Sequence, residues 1–180
     1  MNITMHLRTR RLVIRAATQM DLPKLYSYLS CGETSQFLPT SDVSLDGVKT
    51  LIDKPYPHTF VITNIHGKIV GHLLFHLWHE KHTYKLGWVI APEYRGKGFA
   101  TEAASAVMDF GFHDLNAHRI IATAQPENVA SWRLMEKIGM RREGHFIQCI
   151  ARADGTWWDE YFYAALKSSW QVPEGVFSGY

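Results

Sequence analysis

The stretch Val89-Ile-Ala-Pro-Glu-Tyr-Arg-Gly-Lys-Gly-Phe-Ala-Thr101 joins an apolar strand to an apolar-periodic helix through a loop with two glycines and two cations. Leu86, Trp88 and Ile90 give the strand its apolar run, and Pro92 stops it. Glycines let successive backbone N–H groups turn toward one point, and a helix N-terminus adds unpaired donors and partial positive charge. That is how an anion cradle is built, and Arg95 and Lys97 add full charges to it.

Two common nucleotide loops fail on spacing. From Gly96 to Thr101 no third small residue stands where a dinucleotide fingerprint needs one, and Arg119 falls about where the ribose-binding acid would be. A P-loop needs Gly-Lys-Ser/Thr after a four-residue gap, which this chain lacks.

Arg95-Gly96-Lys97-Gly98-Phe99-Ala100 resembles the Arg/Gln-x-x-Gly-x-Gly/Ala loop of the GNAT superfamily of acetyl-CoA-dependent N-acetyltransferases. Asn128-Val-Ala-Ser131 followed by Glu136-Lys-Ile-Gly139-Met140 resembles the family's later helix. The opening Thr9 to Arg15 and the late Trp157-Trp-Asp-Glu-Tyr161 are similar to the branch of ribosomal-protein N-terminal (alanine/serine) acetyltransferases. The likeness runs from about Arg8 to Trp170. It implies a GNAT fold, an α/β class with a mixed, mostly antiparallel sheet of about seven strands, about four helices and a splayed coenzyme cleft. Residues 1–171 would form a single domain, and 172–180 a loose tail.

Bulk composition agrees with one ordinary globular domain. The chain has 180 residues, 46% hydrophobic and 20% charged, enough to bury roughly 70% of its unfolded surface. A net charge of +2 is too mild for a nucleic-acid binder, which usually concentrates its basic residues on one face. Cys31 and Cys149 belong to no Cys-x-x-Cys pair, so neither a disulfide framework nor a zinc knuckle is expected. The N-terminus lacks a leader pattern, and no window approaches the ~18 apolar residues of a membrane span, so a cytoplasmic location with no membrane partner is expected.

Along the chain, Arg11 to Ala17 reads as a first strand, and Thr18 or Asp21 can cap a helix carrying Leu22, Leu25, Tyr26 and Leu29. Thr34 to Asp42 reads as a polar loop, and Leu45 to Lys54 as a second helix ended by Pro55 and Pro57. His58 to Ile65, Lys68 to Trp78 and Thr83 to Ile90 make an antiparallel meander with a turn at Gly67. The helix after the loop puts Phe99, Ala103, Ala106, Val107 and Phe110 on one stripe, with Glu102 and Asp109 outside it. His118 to Gln125 is a strand; Asn128 caps and Gly139 ends the next helix; strands over Arg141 to Arg152 and Trp157 to Lys167 close the chain.

The family resemblance implies that the strand before the loop parts from its neighbour, about Ala122 to Gln125, and that the pantetheine arm of acetyl-CoA fills the gap. Trp88, Val89 and Ile90 would offer it backbone groups, with an oxyanion donor near Val89. Arg95, Gly96, Lys97, Gly98, Phe99, Ala100 and Thr101 would hold the pyrophosphate, and Asn128 would also face the coenzyme. Many relatives place a tyrosine acid where this chain has Met135. Ser131 matches the serine acid of the ribosomal-protein branch, against the alternative of a first-turn serine bonded to local backbone.

The base is open among His72, His76, Asp159, Glu160 and an ordered water, because Lys85 and Ile150 stand where relatives carry acids. His72, His76, His79 and His82 do not make a metal site, since strand residues four apart lie about 13 Å from each other. Trp157, Trp158, Tyr161 and Tyr163 could shape an acceptor pocket or simply pack the hairpin. The reading is an N-acetyltransferase acting directly on a primary amine, a protein N-terminus or a small molecule, as monomer or homodimer and without metal. The alternative is a non-catalytic acyl-CoA-binding regulatory module.

Overall fold

Eight strands form one sheet in the computed structural model, which describes residues 5–38, 43–54, 58–80, 82–152, 154–174 and 176. They are β1 (His6–Arg8), β2 (Leu12–Ala16), β3 (His58–Asn64), β4 (Ile69–His79), β5 (Thr83–Ile90), β6 (Arg119–Ala124), β7 (Arg141–Ala151) and β8 (Trp157–Leu166). Their order is β1-β2-β3-β4-β5-β6-β8-β7, and only β5 and β6 run parallel. The helices are α1 (Leu22–Leu29), α2 (Gly32–Ser35), α3 (Leu45–Asp53), α4 (Phe99–His113) and α5 (Val129–Lys137).

The expected fold class stands, with eight strands rather than about seven and one more helix than expected. The added strand, β1, pairs only His6↔Arg15, Leu7↔Ile14 and Arg8↔Val13, too short a run to show alternation in sequence. The added helix, α2, is one turn inside the stretch read as polar loop, of which residues 39–42 lie outside the described part.

Strand alternation divides the apolar residues between two layers. Phe60, Ile62, Leu73, Phe75, Leu86 and Ile120 face α4, whose Ala103, Ala106, Val107 and Met108 are fully buried against them. On the other face Val61 meets Leu25 and Leu29 of α1 and Val48 of α3. Each such Val, Leu, Ile, Met or Phe side chain contributes about 1.5–3 kcal/mol by leaving water.

Two expectations need correcting. Glu102, read as outside the apolar stripe, is only 6% exposed, because partners from the N-terminal segment come to meet it. The tail is not loose throughout: Val176 is 5% exposed in the larger core, and its carbonyl accepts from the Arg10 N–H at 3.5 Å. Among the described residues no helix is long and apolar enough to cross a membrane.

What positions the site is an interruption of the sheet. β5 and β6 pair only at Thr83↔Arg119, Tyr84↔Ile120 and Lys85↔Ile121. Beyond that point β5 stays on β4 as far as Ile90↔Gly71, while β6 stays on β8 as far as Ala124↔Tyr161. The two strands therefore part into a V that opens toward the glycine loop.

Candidate active site

The loop is built as its glycines suggest. Gly96 and Gly98 adopt φ of 72° and 77°, a left-handed conformation that costs a residue without Cβ little. Gly98 caps α4, its carbonyl accepting from the Glu102 N–H at 3.1 Å. Among the described residues, none of the N–H groups from Gly96 to Thr101 has a protein acceptor. Six consecutive free donors at the positive end of a fifteen-residue helix make a strong anion site.

A cavity of about 530 Å³ runs from this cradle into the V. Of the residues that the sequence suggests for the coenzyme, Trp88, Val89, Ile90, Arg95, Gly96, Gly98, Phe99, Ala100, Thr101 and Asn128 line it, and so does Ser131. Lys97 does not: its ammonium turns back to the Glu93 carbonyl at 2.8 Å and lies 5.3 Å from the centre of the Tyr94 ring.

Arg95 lines the cavity but is not a free cation. Its Nε donates to the Ile90 carbonyl at 3.2 Å, Nη2 donates to the Thr34 hydroxyl at 2.9 Å, and Nη1 pairs with Glu33. It thus ties the loop to α2, and the following Phe37 carbonyl accepts from Gln125 at 3.5 Å on the far arm of the V. Arg133 and Lys137, one turn apart on α5, face the cavity instead. Sequence reading passed over them, although cations at i and i+4 after the Asn128 cap would have been a usable signal.

Arg11 was missed as well. Its Nη1 donates to the Lys97 carbonyl at 3.0 Å, its guanidinium lies 4.8 Å from the Phe99 ring centre, and Glu102 holds it at 2.6 Å. By fixing a loop carbonyl it aims the loop's amides. No local pattern links Arg11 to the loop, because its contact with the Lys97 carbonyl spans 86 residues.

On β5, the Val89 carbonyl leans over Gly71 of β4, and the Ala91 N–H bonds to the Val70 carbonyl. The Ile90 carbonyl points the other way, to Arg95. Adjacent residues of a strand present their backbone groups to opposite sides. Trp88 and Ile90, rather than Val89, therefore turn N–H and C=O groups into the V.

Asn128 caps α5 as expected, its side chain accepting from the Ser131 N–H at 3.4 Å, and Gly139 ends the helix at φ 82°. The Ser131 N–H is thus bound locally, but its hydroxyl has no partner among the described residues. Met135 is buried in the core.

The candidate bases sort by position. His72 is 2% exposed, hydrogen-bonded to the Tyr28 hydroxyl at 2.8 Å, and pushed down to about 4 by burial. It is a neutral core group. Asp159 accepts from the Gln148 N–H and from His145, both at 2.8 Å, and these bonds, the Gln148 amide first, hold it below the ordinary carboxylate range. His76 and Glu160 share the sheet face opposite α4 with Lys85, His76 as its direct neighbour on β4 and Glu160 across the V on β8.

A gap between parted strands that leads to a cradle of backbone amides defines a class of protein, one that threads an acyl-coenzyme arm into its own sheet. The chain belongs to the GNAT acetyltransferase family, whose acetyltransferase (GNAT) domain matches residues 11–141. It is 41% identical to the uncharacterised N-acetyltransferase YnaD of Bacillus subtilis, over 92% of this chain and 99% of that one. A GNAT-family acetyltransferase structure from Bacillus anthracis superposes with a TM-score of 0.83 at 40% identity, over 92% of this chain and all of that one. The spermidine N(1)-acetyltransferase of Escherichia coli K12 is similar over a shorter stretch, 39% identical across 33% of this chain and 32% of its own. The protein is an acetyl-CoA-dependent N-acetyltransferase, with acetyl-CoA as cosubstrate.

Proposed function

We propose that the protein acetylates the primary amine of a protein N-terminus or of a small molecule, in the manner of the ribosomal-protein branch, with Ser131 as the acid. The amine nitrogen attacks the thioester carbon after its ammonium has lost a proton to water or a neighbouring base. The carbonyl oxygen gains charge and takes a backbone N–H of Trp88 or Ile90 in the V. The C–S bond then breaks, the thiolate takes the Ser131 proton, and the second proton that the nitrogen sheds as it becomes an amide passes to solvent, which returns one to the serine oxygen. The observation carrying this reading is that the Ser131 hydroxyl, without a partner among the described residues, belongs to the lining of the cavity that ends in the amide cradle. Gly96 to Thr101 receive the pyrophosphate, with Arg133 and Lys137 supplying the charge that Lys97 and Arg95 direct elsewhere. Cys31 and Cys149 are both exposed and unpaired, which suits a reducing cytoplasm.

Thiol release from acetyl-CoA, followed with a panel of amines and N-terminal peptides, tests it. Ser131→Ala is expected to lower kcat about 10–100-fold, below the full range for general acids because a thiolate is already a fair leaving group. Gly98→Asp is expected to weaken coenzyme binding at least about tenfold, through a strained φ and an anion set in the cradle. Full activity of Ser131→Ala would make the serine structural.

A further inference from the structure

We propose that the acceptor is an amine that also carries an acidic group, and that Lys85 reads that group. This rests on the amine-acetylation reading above. Lys85 is the last residue at which β5 touches β6, so its side chain sits at the bottom of the V. Tyr84 and Leu86 are buried toward α4, which sends Lys85 to the opposite face. Helices α1 and α3 pack on the β3–β4 side of that face, leaving the acceptor its approach near Lys85.

The ammonium lies 4.7 Å from the centre of the Trp78 ring. Among the described residues no carboxylate comes within ion-pair distance of it. Its β4 partner is His76, which burial, then Lys85 and His58, push down to about 4, so the imidazole is neutral at pH 7. Burial also lowers Lys85, against the more distant pull of Glu160. Glu160 itself makes no hydrogen bond or ion pair among the described residues, and it lies on the same face of β8, since its neighbour Tyr161 packs toward the α4 side.

One half-buried cation and one carboxylate thus stand on either side of the V, neither paired with an opposite charge among the described residues. A half-buried ammonium gains from an anion delivered by a ligand. Glu160 suits the acceptor's ammonium and Lys85 its acid. A polyamine presents only cations, and its second ammonium would meet the like charge of Lys85.

The test is acetyl transfer to matched acceptors: a free amino acid and its carboxamide, peptides beginning with aspartate or asparagine, and spermidine. The wild type is expected to favour each acid over its amide by about tenfold in kcat/KM, the free amino acid and the peptide pair showing which source supplies the acid. Lys85→Gln is expected to collapse that preference to within about twofold by raising KM, Lys85→Arg to keep it, and Lys85→Glu to turn it toward spermidine. Coenzyme affinity is expected to stay unchanged in all three, because Lys85 lies outside the coenzyme cavity. Equal use of acids and amides by the wild type, or a preference that survives Lys85→Gln, overturns the inference and leaves acetyl transfer standing. Coenzyme binding with no acetylation of any amine overturns both.

Discussion

Gly71→Ala is expected to cost more than about a hundredfold in kcat/KM and about 1–3 kcal/mol of stability, although residue 71 does not line the cavity between the parted strands. A methyl group there would stand 2.3 Å from the Val89 carbonyl oxygen, 2.9 Å from Ile90 Cδ1 and 3.1 Å from Ile90 Cα. Real Cβ atoms do not approach backbone oxygens so closely, so β5 must move away by about an ångström. The segment that moves is the arm of the V that presents Trp88 and Ile90. A displacement of that size at a reacting group is enough for a loss of two orders of magnitude. Calorimetric coenzyme binding and single-turnover transfer, measured well below the melting temperature, check it. Gly144→Ala is the control, since its added carbon would meet only Phe162 and Phe146 at 3.6 Å or more. Wild-type coenzyme affinity in Gly71→Ala would show that the end of β5 does not set the cleft.

The contrast between Gly71 and Gly98 shows what can be read from sequence. Gly98 announces itself through its neighbours: a strand, a proline, two glycines and a helix stripe define its role before any partner is known. Gly71 sits in an unremarkable strand, and its meaning depends on which residue of β5 comes to lie beside it. The same division runs through the fold. Strands β3 to β6, helices α4 and α5, and the Asn128 and Gly139 ends were legible because local periodicity and capping specify them. Strand β1 and helix α2 were not, because three residues cannot show a period and a single turn depends on tertiary ties such as Arg95 to Glu33 and Thr34. In the site, the amide cradle was legible, but the orientation of its cations was not. Arg95 and Lys97 read as phosphate ligands, while their side chains bond to the Ile90 carbonyl, Glu33 and Thr34 and to the Glu93 carbonyl.

Glu102→Ala is expected to lower stability by about 2–4 kcal/mol, and at roughly 2–4 °C per kcal/mol the melting temperature by roughly 5–15 °C. The Glu102 carboxylate accepts from the Thr9 hydroxyl at 2.6 Å, the Arg11 N–H at 2.8 Å and the Arg11 Nε at 2.6 Å. The ion pair itself supplies the smaller part, because the Arg11 side chain is 44% exposed and its guanidinium can return to water. The Thr9 hydroxyl is buried and cannot rehydrate as easily, so exchanging its 2.6 Å bond to Glu102 for the longer 3.4 Å contact with the Leu12 carbonyl is costly. Glu102→Gln separates the parts: it keeps the shape and one acceptor but turns an amide donor on Arg11 Nε, for about half the loss. The variant should also bind coenzyme about tenfold more weakly at temperatures where it is folded, because Arg11 freed from Glu102 no longer fixes the Lys97 carbonyl. Arg11→Lys tests that coupling from the other side. A lysine cannot hold Glu102 and the loop carbonyl with one planar fork, so coenzyme affinity should fall while most of the stability remains. Unchanged coenzyme affinity in both variants would make the Arg11–Glu102 pair a brace for the N-terminal segment alone. A fall in both ties the amide cradle to a residue near the N-terminus.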